Sequence, residues 1–188
     1  MKGAVGVLAL QGGFAAHVRL LRGLGADVRE VRHCRDLDGL GALVLPGGES
    51  TAMIHLMADE PWLDALRGFA ARGGALLGTC AGIILLAREV DPPQSSAGLL
   101  DVAVARNAYG RQTDSFEAAV STAGHDTPLR GVFIRAPRIR VVGPGVEVIA
   151  RVGDAPVAVR EGRVVGITFH PELADDDRMH RLLLDLAA

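Results

Sequence analysis

Cysteine is scarce in this chain of 188 residues: Cys34 and Cys80 are the two it has. One potential pair makes a poor disulfide framework, so free thiols in a reducing, cytoplasmic setting are the expectation. Aromatic side chains are only 4% of the chain, which argues against platforms that stack bases. The formal net charge is −2 and no basic run occurs, so nothing marks a nucleic-acid partner. No apolar run is long enough to span a bilayer. The opening Met1-Lys2-Gly3-Ala4-Val5 passes straight into a strand-like run without the layout of a signal peptide. No histidine and cysteine cluster has structural-metal spacing, so no metal is expected. Neither Gly-x-Gly-x-x-Gly nor a Gly-Lys-Ser/Thr ending is present, and no dinucleotide or phosphate loop is expected.

What the chain does have is an ordinary globular balance, 49% hydrophobic against 22% charged, and a length that suits one domain over 1–188. Residues 4–10 are continuously apolar, as in a strand buried on both faces. Phe14, His17, Val18, Leu21 and Leu24 follow at helical spacing, stopped by Gly25. Strands are expected near 27–32 and 42–45, helices over 50–58 and 61–72, a fourth strand at 75–77 and an apolar helix through Ala87. This alternation implies an α/β fold with a parallel sheet and helices on both faces. The second half holds short strand-like runs near 101–105, 116–120, 131–134, 139–142, 146–152, 156–160 and 163–169, expected to extend the sheet as antiparallel strands. Glu161-Gly162 suits a hairpin turn, 91–96 and 121–128 suit loops, and a helix over 176–187 closes the chain.

Three segments could carry chemistry. Gly78-x-Cys80-x-Gly82 sits at a strand-to-helix junction, the setting of a nucleophile elbow. There a sharp, strained turn exposes its central residue, flanking glycines permit close packing, and the helix N-terminus favours thiolate. A passive buried cysteine beside packing glycines is the competing reading. Phe169-His170-Pro171-Glu172 follows the apolar run Val164–Thr168, and functional groups gather beyond the carboxyl ends of strands in open α/β sheets. With Pro171 keeping the chain extended, Glu172 can point the same way as His170 and orient its imidazole. Alone, this segment reads more readily as a strand-end turn with a partly exposed histidine; paired with Cys80 at another strand end, the catalytic reading is the better one. Pro46-Gly47-Gly48-Glu49-Ser50 also follows an apolar strand. The Gly48 amide, with that of Ala81 after the nucleophile, can face a developing oxyanion; a helix start capped by Ser50 is the plainer account. Cys34 reads as a passive thiol, His17 and His55 as surface or packing residues, and Asp175-Asp176-Asp177 as a cap for the last helix.

These three segments, in the chain order Gly47-Gly48, then Gly78-x-Cys80-x-Gly82, then His170-Pro171-Glu172, resemble the class I (triad) glutamine amidotransferases. Longer runs are similar to the glutaminase subunits of pyridoxal 5′-phosphate synthases: Leu8–Gly12, Leu45–Thr51, Gly78–Gly82, Arg106-Asn-Ala-Tyr-Gly-Arg-Gln112, Asp114–Glu117, Phe133-Ile-Arg-Ala-Pro137 and His170–Leu173. The resemblance covers nearly the whole chain. It implies a flavodoxin-like three-layer α/β/α sandwich. It implies hydrolysis of L-glutamine through a thioester on Cys80, with His170 moving protons and Glu172 holding His170. It places glutamine against Gly48, Glu49, Ser50, Arg106, Ile134 and Arg135. It implies no cofactor in this subunit, and a synthase subunit as the partner that takes the ammonia within a hetero-oligomeric complex. A glutaminase for another acceptor synthase, or a peptidase-type cysteine hydrolase on the same fold, is the alternative.

Overall fold

The computed structural model describes residues 3–106, 115–174 and 176–188. The first half alternates strand and helix: β1 (Ala4–Leu8), α1 (Phe14–Gly23), β2 (Val28–Val31), β3 (Leu40–Leu45), α2 (Ser50–Leu56), α3 (Trp62–Ala71), β4 (Ala75–Thr79) and α4 (Ala81–Leu86). The second half is strand-rich: β5 (Ala87–Asp91), β6 (Leu100–Ala105), β7 (Ser115–Thr122), β8 (Leu129–Ile134), β9 (Arg138–Val142), β10 (Glu147–Val152), β11 (Ala155–Glu161) and β12 (Val164–Ile167), closed by α5 (Arg178–Leu186). Single 3-10 turns occupy Cys34–Leu37 and Pro171–Leu173.

A nine-stranded sheet runs in the order β2-β1-β3-β4-β12-β11-β10-β7-β8. Its first five strands are parallel, in the flavodoxin-like order that steps to one side of the first strand and then to the other. From β12 onward each pairing is antiparallel. Glu161 pairs with Val164 across the expected hairpin turn, where Gly162 takes the left-handed φ of 57°.

Alternation along each strand sends successive side chains to opposite faces. Leu43, Leu45 and Leu76 pack with Met53, Trp62, Leu66, Phe69 and Ile83 of α2, α3 and α4. Ala42, Val44 and Leu77 pack with Val18 and Leu21 of α1 and Met179 and Leu183 of α5. Two apolar layers separated by one sheet make the three-layer sandwich.

Two expectations change. The runs near 101–105 and 139–142 do not join the main sheet; β6 and β9 form a separate three-stranded sheet with β5. Val102, Val104 and Ile139 lie in the same core cluster as α4, so this small sheet covers that face. The apolar helix stops at Leu86 because the loop that follows captures its last carbonyls: Ala97 donates to Leu85 and Leu99 to Leu86. That frees Ala87–Asp91 to pair with β6, a long-range contact with no local apolar pattern behind it.

Candidate active site

Cys80 stands between β4 and α4 with φ 50° and ψ −101°. A residue with a side chain in this region carries about 1–3 kcal/mol of backbone strain and persists only where its surroundings enforce it. Here the enforcement is steric. A Cβ on Gly82 would lie 2.0 Å from the Leu45 carbonyl oxygen, and one on Gly78 would lie 2.6 Å from the Gly82 carbonyl. Both glycines let α4 sit directly on the ends of β3 and β4, and the turn at Cys80 closes the junction. The Cys80 thiol is 5% exposed and donates to the Ile134 carbonyl at 3.7 Å.

β12 lies beside β4 in parallel register, with Ile167 opposite Thr79, so His170 emerges next to Cys80. The His170 amide donates to the Val132 carbonyl at 2.8 Å, which fixes its backbone. Its Nδ1 lies 2.8 Å from Glu172 Oε1, leaving Nε2 for the sulfur. The chain between them is not extended, as the sequence suggested. Pro171 opens a 3-10 turn, because its fixed φ suits a first helical position, and the turn folds Glu172 back under the imidazole. Burial works against an imidazolium, but hydrogen bonds to Cys80 and Glu172, together with their charges, outweigh it and push His170 up to about 10. Burial likewise opposes the Glu172 carboxylate, yet the imidazoles of His17 and His170 beside it hold it below the usual range.

The Gly47–Gly48 loop leaves β3 against this pair. Gly47 is buried, and a Cβ there would meet His170 Cε1 at 2.3 Å and Cys80 Cβ at 3.2 Å. The Gly47 carbonyl accepts from the Gly13 amide at 3.1 Å, which sets the plane of the Gly47–Gly48 peptide. Gln11 donates to the Glu49 carbonyl at 2.9 Å and fills the space a Gly48 side chain would take. Glu49, not Ser50, caps α2: its carboxylate accepts from the Thr51 and Ala52 amides. Ser50 is buried and donates to Gln94 Oε1 at 2.9 Å.

The far end of the sheet curls over, bringing the end of β8 to the site. Ile134 turns its carbonyl to Cys80, and Arg135 follows, exposed and bent at φ 44°. Arg106 reaches Thr51 Oγ1 at 2.7 Å, beside Glu49. Gly48, Glu49, Ser50, Ala81, Arg106, Ile134 and Arg135 thus lie on segments around or adjoining Cys80. The rest of the Arg106–Gln112 run, with Asp114, lies outside the described residues.

Three expectations outside the reacting set also meet an outcome. Cys34 is pushed up to about 11 by burial and by Glu60, which keeps it a thiol. Of the acidic run ahead of α5, Asp175 lies outside the described residues, Asp176 accepts from the Arg178 amide at 3.0 Å, and Asp177 makes no capping bond. His17, read as a surface or packing residue, is fully buried, with Nε2 3.3 Å from Glu172 Oε2 and Nδ1 2.8 Å from His180 Nε2. Sequence reasoning missed His180 altogether. Spacing held a signal for both, since His17 shares a helical face with Leu21, and His180 with Leu183.

The SNO glutamine amidotransferase family matches residues 7–186. The pyridoxal 5′-phosphate synthase subunit PdxT of Deinococcus radiodurans is 54% identical over 189 residues, covering 97% of this chain and 96% of its own. PdxT of a Thermus thermophilus strain is 52% identical over 190 residues, covering 100% of this chain and 99% of its own. A solved glutamine amidotransferase superposes with a TM-score of 0.92 at 49% identity, covering 98% of this chain and 99% of that one. The structure of PurLQS from Thermotoga maritima, at 21% identity and a TM-score of 0.72 over 100% of both chains, shares the fold.

Proposed function

This chain belongs to the SNO glutamine amidotransferase family, and from that premise we propose that it is the glutaminase subunit of a pyridoxal 5′-phosphate synthase. It hydrolyses L-glutamine and hands the ammonia to a synthase subunit. The whole chain acts as one amidotransferase domain. The observation that carries the reading is the convergence of a strained Cys80 at the end of β4 with a buried His170–Glu172 pair beyond the neighbouring β12.

The chemistry follows from the geometry. The Cys80 sulfur attacks the side-chain amide carbon of glutamine, and the electron pair of the carbonyl moves to oxygen. Amides of Gly48 and Ala81 receive that oxyanion. His170 takes the thiol proton as the sulfur attacks and gives it to the departing nitrogen, and ammonia leaves a γ-glutamyl thioester on Cys80. Water then adds to the thioester as His170 takes its proton, and glutamate departs with the thiol restored. Glu172 fixes the tautomer and plane of His170 throughout. Arg106 and Arg135 suit the substrate carboxylate because a guanidinium fork binds it bidentately. Gly48, Glu49, Ser50 and Ile134 line the same substrate. A reducing, cytoplasmic setting keeps Cys80 a thiol.

Ammonia release from glutamine, measured with and without the synthase subunit, tests the reading. Cys80→Ala is expected to abolish release in the complex. Full activity in that variant, or cleavage of peptides in place of glutamine by the parent chain, would overturn it.

A further inference from the structure

Glu172 is sealed in the interior, its side chain 1% exposed. One carboxylate oxygen, Oε1, is taken by His170. The other, Oε2, is buried with no well-aligned hydrogen bond among the described residues, and His17 Nε2 faces it at 3.3 Å. A buried charged oxygen left without a donor is costly, and the carboxylate can relieve that cost by rotating about its last torsion. Rotation would pull Oε1 away from His170. A donor at Oε2 is therefore what keeps the pair in register.

We propose that His17, backed by His180, is a positioning residue for glutamine hydrolysis: its Nε2–H holds the second oxygen of Glu172, so that Glu172 presents the first to His170 in a fixed plane. The inference rests on Cys80, His170 and Glu172 being the reacting set.

The arrangement behind His17 is built for one tautomer. Its Nδ1 meets His180 Nε2 at 2.8 Å, a contact that holds a single proton. Burial first, and then the neighbouring His17, push His180 down to about 3, so His180 is a neutral imidazole. Its Nδ1 is buried without a partner among the described residues, so the economical tautomer carries the proton on Nε2, donates it to His17 Nδ1 and leaves only a lone pair unmatched. His17 must then carry its own proton on Nε2, where Glu172 Oε2 and, at 3.4 Å, Thr79 Oγ1 are the acceptors. Three elements meet in this chain: α5 supplies His180, α1 supplies His17, and the turn after β12 supplies Glu172. Packing alone does not call for it. Leucine would fill the same interior without the cost of burying two imidazoles.

The test uses the complex with the synthase subunit, saturated and unsaturated with glutamine, and compares His17→Leu with His17→Gln. Glutamine places an amide N–H near the position of Nε2; leucine has no donor. His17→Leu is expected to lower kcat about 10- to 100-fold with KM within about twofold, and His17→Gln to retain most of the rate. A second readout needs no turnover: the proton resonance of the His170 Nδ1–H bound to Glu172. It should move upfield or broaden in His17→Leu and persist in His17→Gln. If His17→Leu fails to fold, His17→Asn takes its place, since asparagine can still meet His180 but is too short for Glu172. Equal losses of melting temperature in the Leu and Gln variants, with kcat and the resonance unmoved, would overturn the proposal. A parent complex that releases no ammonia would sink the glutaminase reading instead, while the resonance still decides the role of His17.

Discussion

Gly47→Ala isolates the geometry of the site in a single methyl group. Gly47 does not occupy the left-handed region, so alanine fits its backbone and the effect is steric. The added carbon would lie 2.3 Å from His170 Cε1 and 2.9 Å from Nδ1, where about 3.4 Å is ordinary contact. The ring cannot yield freely: its amide is tied to Val132 and its Nδ1 to Glu172. On the other side stands Cys80 Cβ, 3.2 Å from the same methyl. Relief thus requires either the ring or the loop to retreat by about 1 Å, a displacement that costs a reacting pair roughly 100-fold, or about 2.7 kcal/mol of transition-state stabilisation. Overpacking should cost about 1–3 kcal/mol of folding stability, which leaves the protein folded at assay temperature. The assay is ammonia release from glutamine in the complex, paired with a thermal melt to verify folding. Gly47→Ala with more than half of the parent kcat/KM and an unchanged melt would refute the argument that this close approach sets the Cys80–His170 geometry.

Gly82→Ala drives a methyl to 2.0 Å from the Leu45 carbonyl, a backbone atom that cannot rotate away. A loss of about 1–3 kcal/mol and a melting temperature lower by several degrees are expected; Gly23→Ala, with nothing within 4 Å of the new carbon, should be neutral or mildly stabilising, and equal melts for the two would refute the packing account. Acid stability carries a histidine signature. His180, faced by His17, Glu172 and Asp177, sits near 3 in the fold against an ordinary 6.5, so the unfolded chain alone binds that proton as pH falls below 6.5. Stability should therefore drop from pH 6.5 toward 3 by up to about 1.4 kcal/mol per pH unit. Glu172, depressed below 4.5, stays charged between 4.5 and 6.5 and adds no slope there. Urea melts of His180→Leu should flatten that interval, and curves parallel to those of the parent would count against the assignment. His170, raised to about 10, contributes stability that is fully present below 6.5 and lost as pH rises through 10. Its loss should appear as a basic limb in the same melts.

The fold's parallel half was legible because each strand and helix is written locally. Apolar runs of strand length and helical spacings alternate without ambiguity from Ala4 to Leu86. The antiparallel half was legible as strands but not as sheets, since pairing partners depend on contacts far apart in the chain. β5 shows this best: Ala87–Asp91 has no periodic apolar pattern and becomes a strand only because β6 is there to pair with it. At the site, the three motif segments carried their residue types in plain view, yet two local details went the other way. Glu49 rather than Ser50 caps α2, and a 3-10 turn rather than an extended chain joins His170 to Glu172.

Sequence by itself determined the reactive alphabet at Cys80. A cysteine between two glycines at a strand-to-helix junction cannot be relaxed if strand and helix are to touch, and that requirement is local. Which groups meet the sulfur is not local. Register between β4 and β12 brings His170 alongside, the curl of β8 brings the Ile134 carbonyl, and the Gly47 turn closes the third side. His17 and His180, 163 residues apart, meet only because α1 and α5 cover the same face of the sheet. Burial there sets His17 against Glu172 and His180 behind His17, because a charge removed from water must find its donors inside the protein.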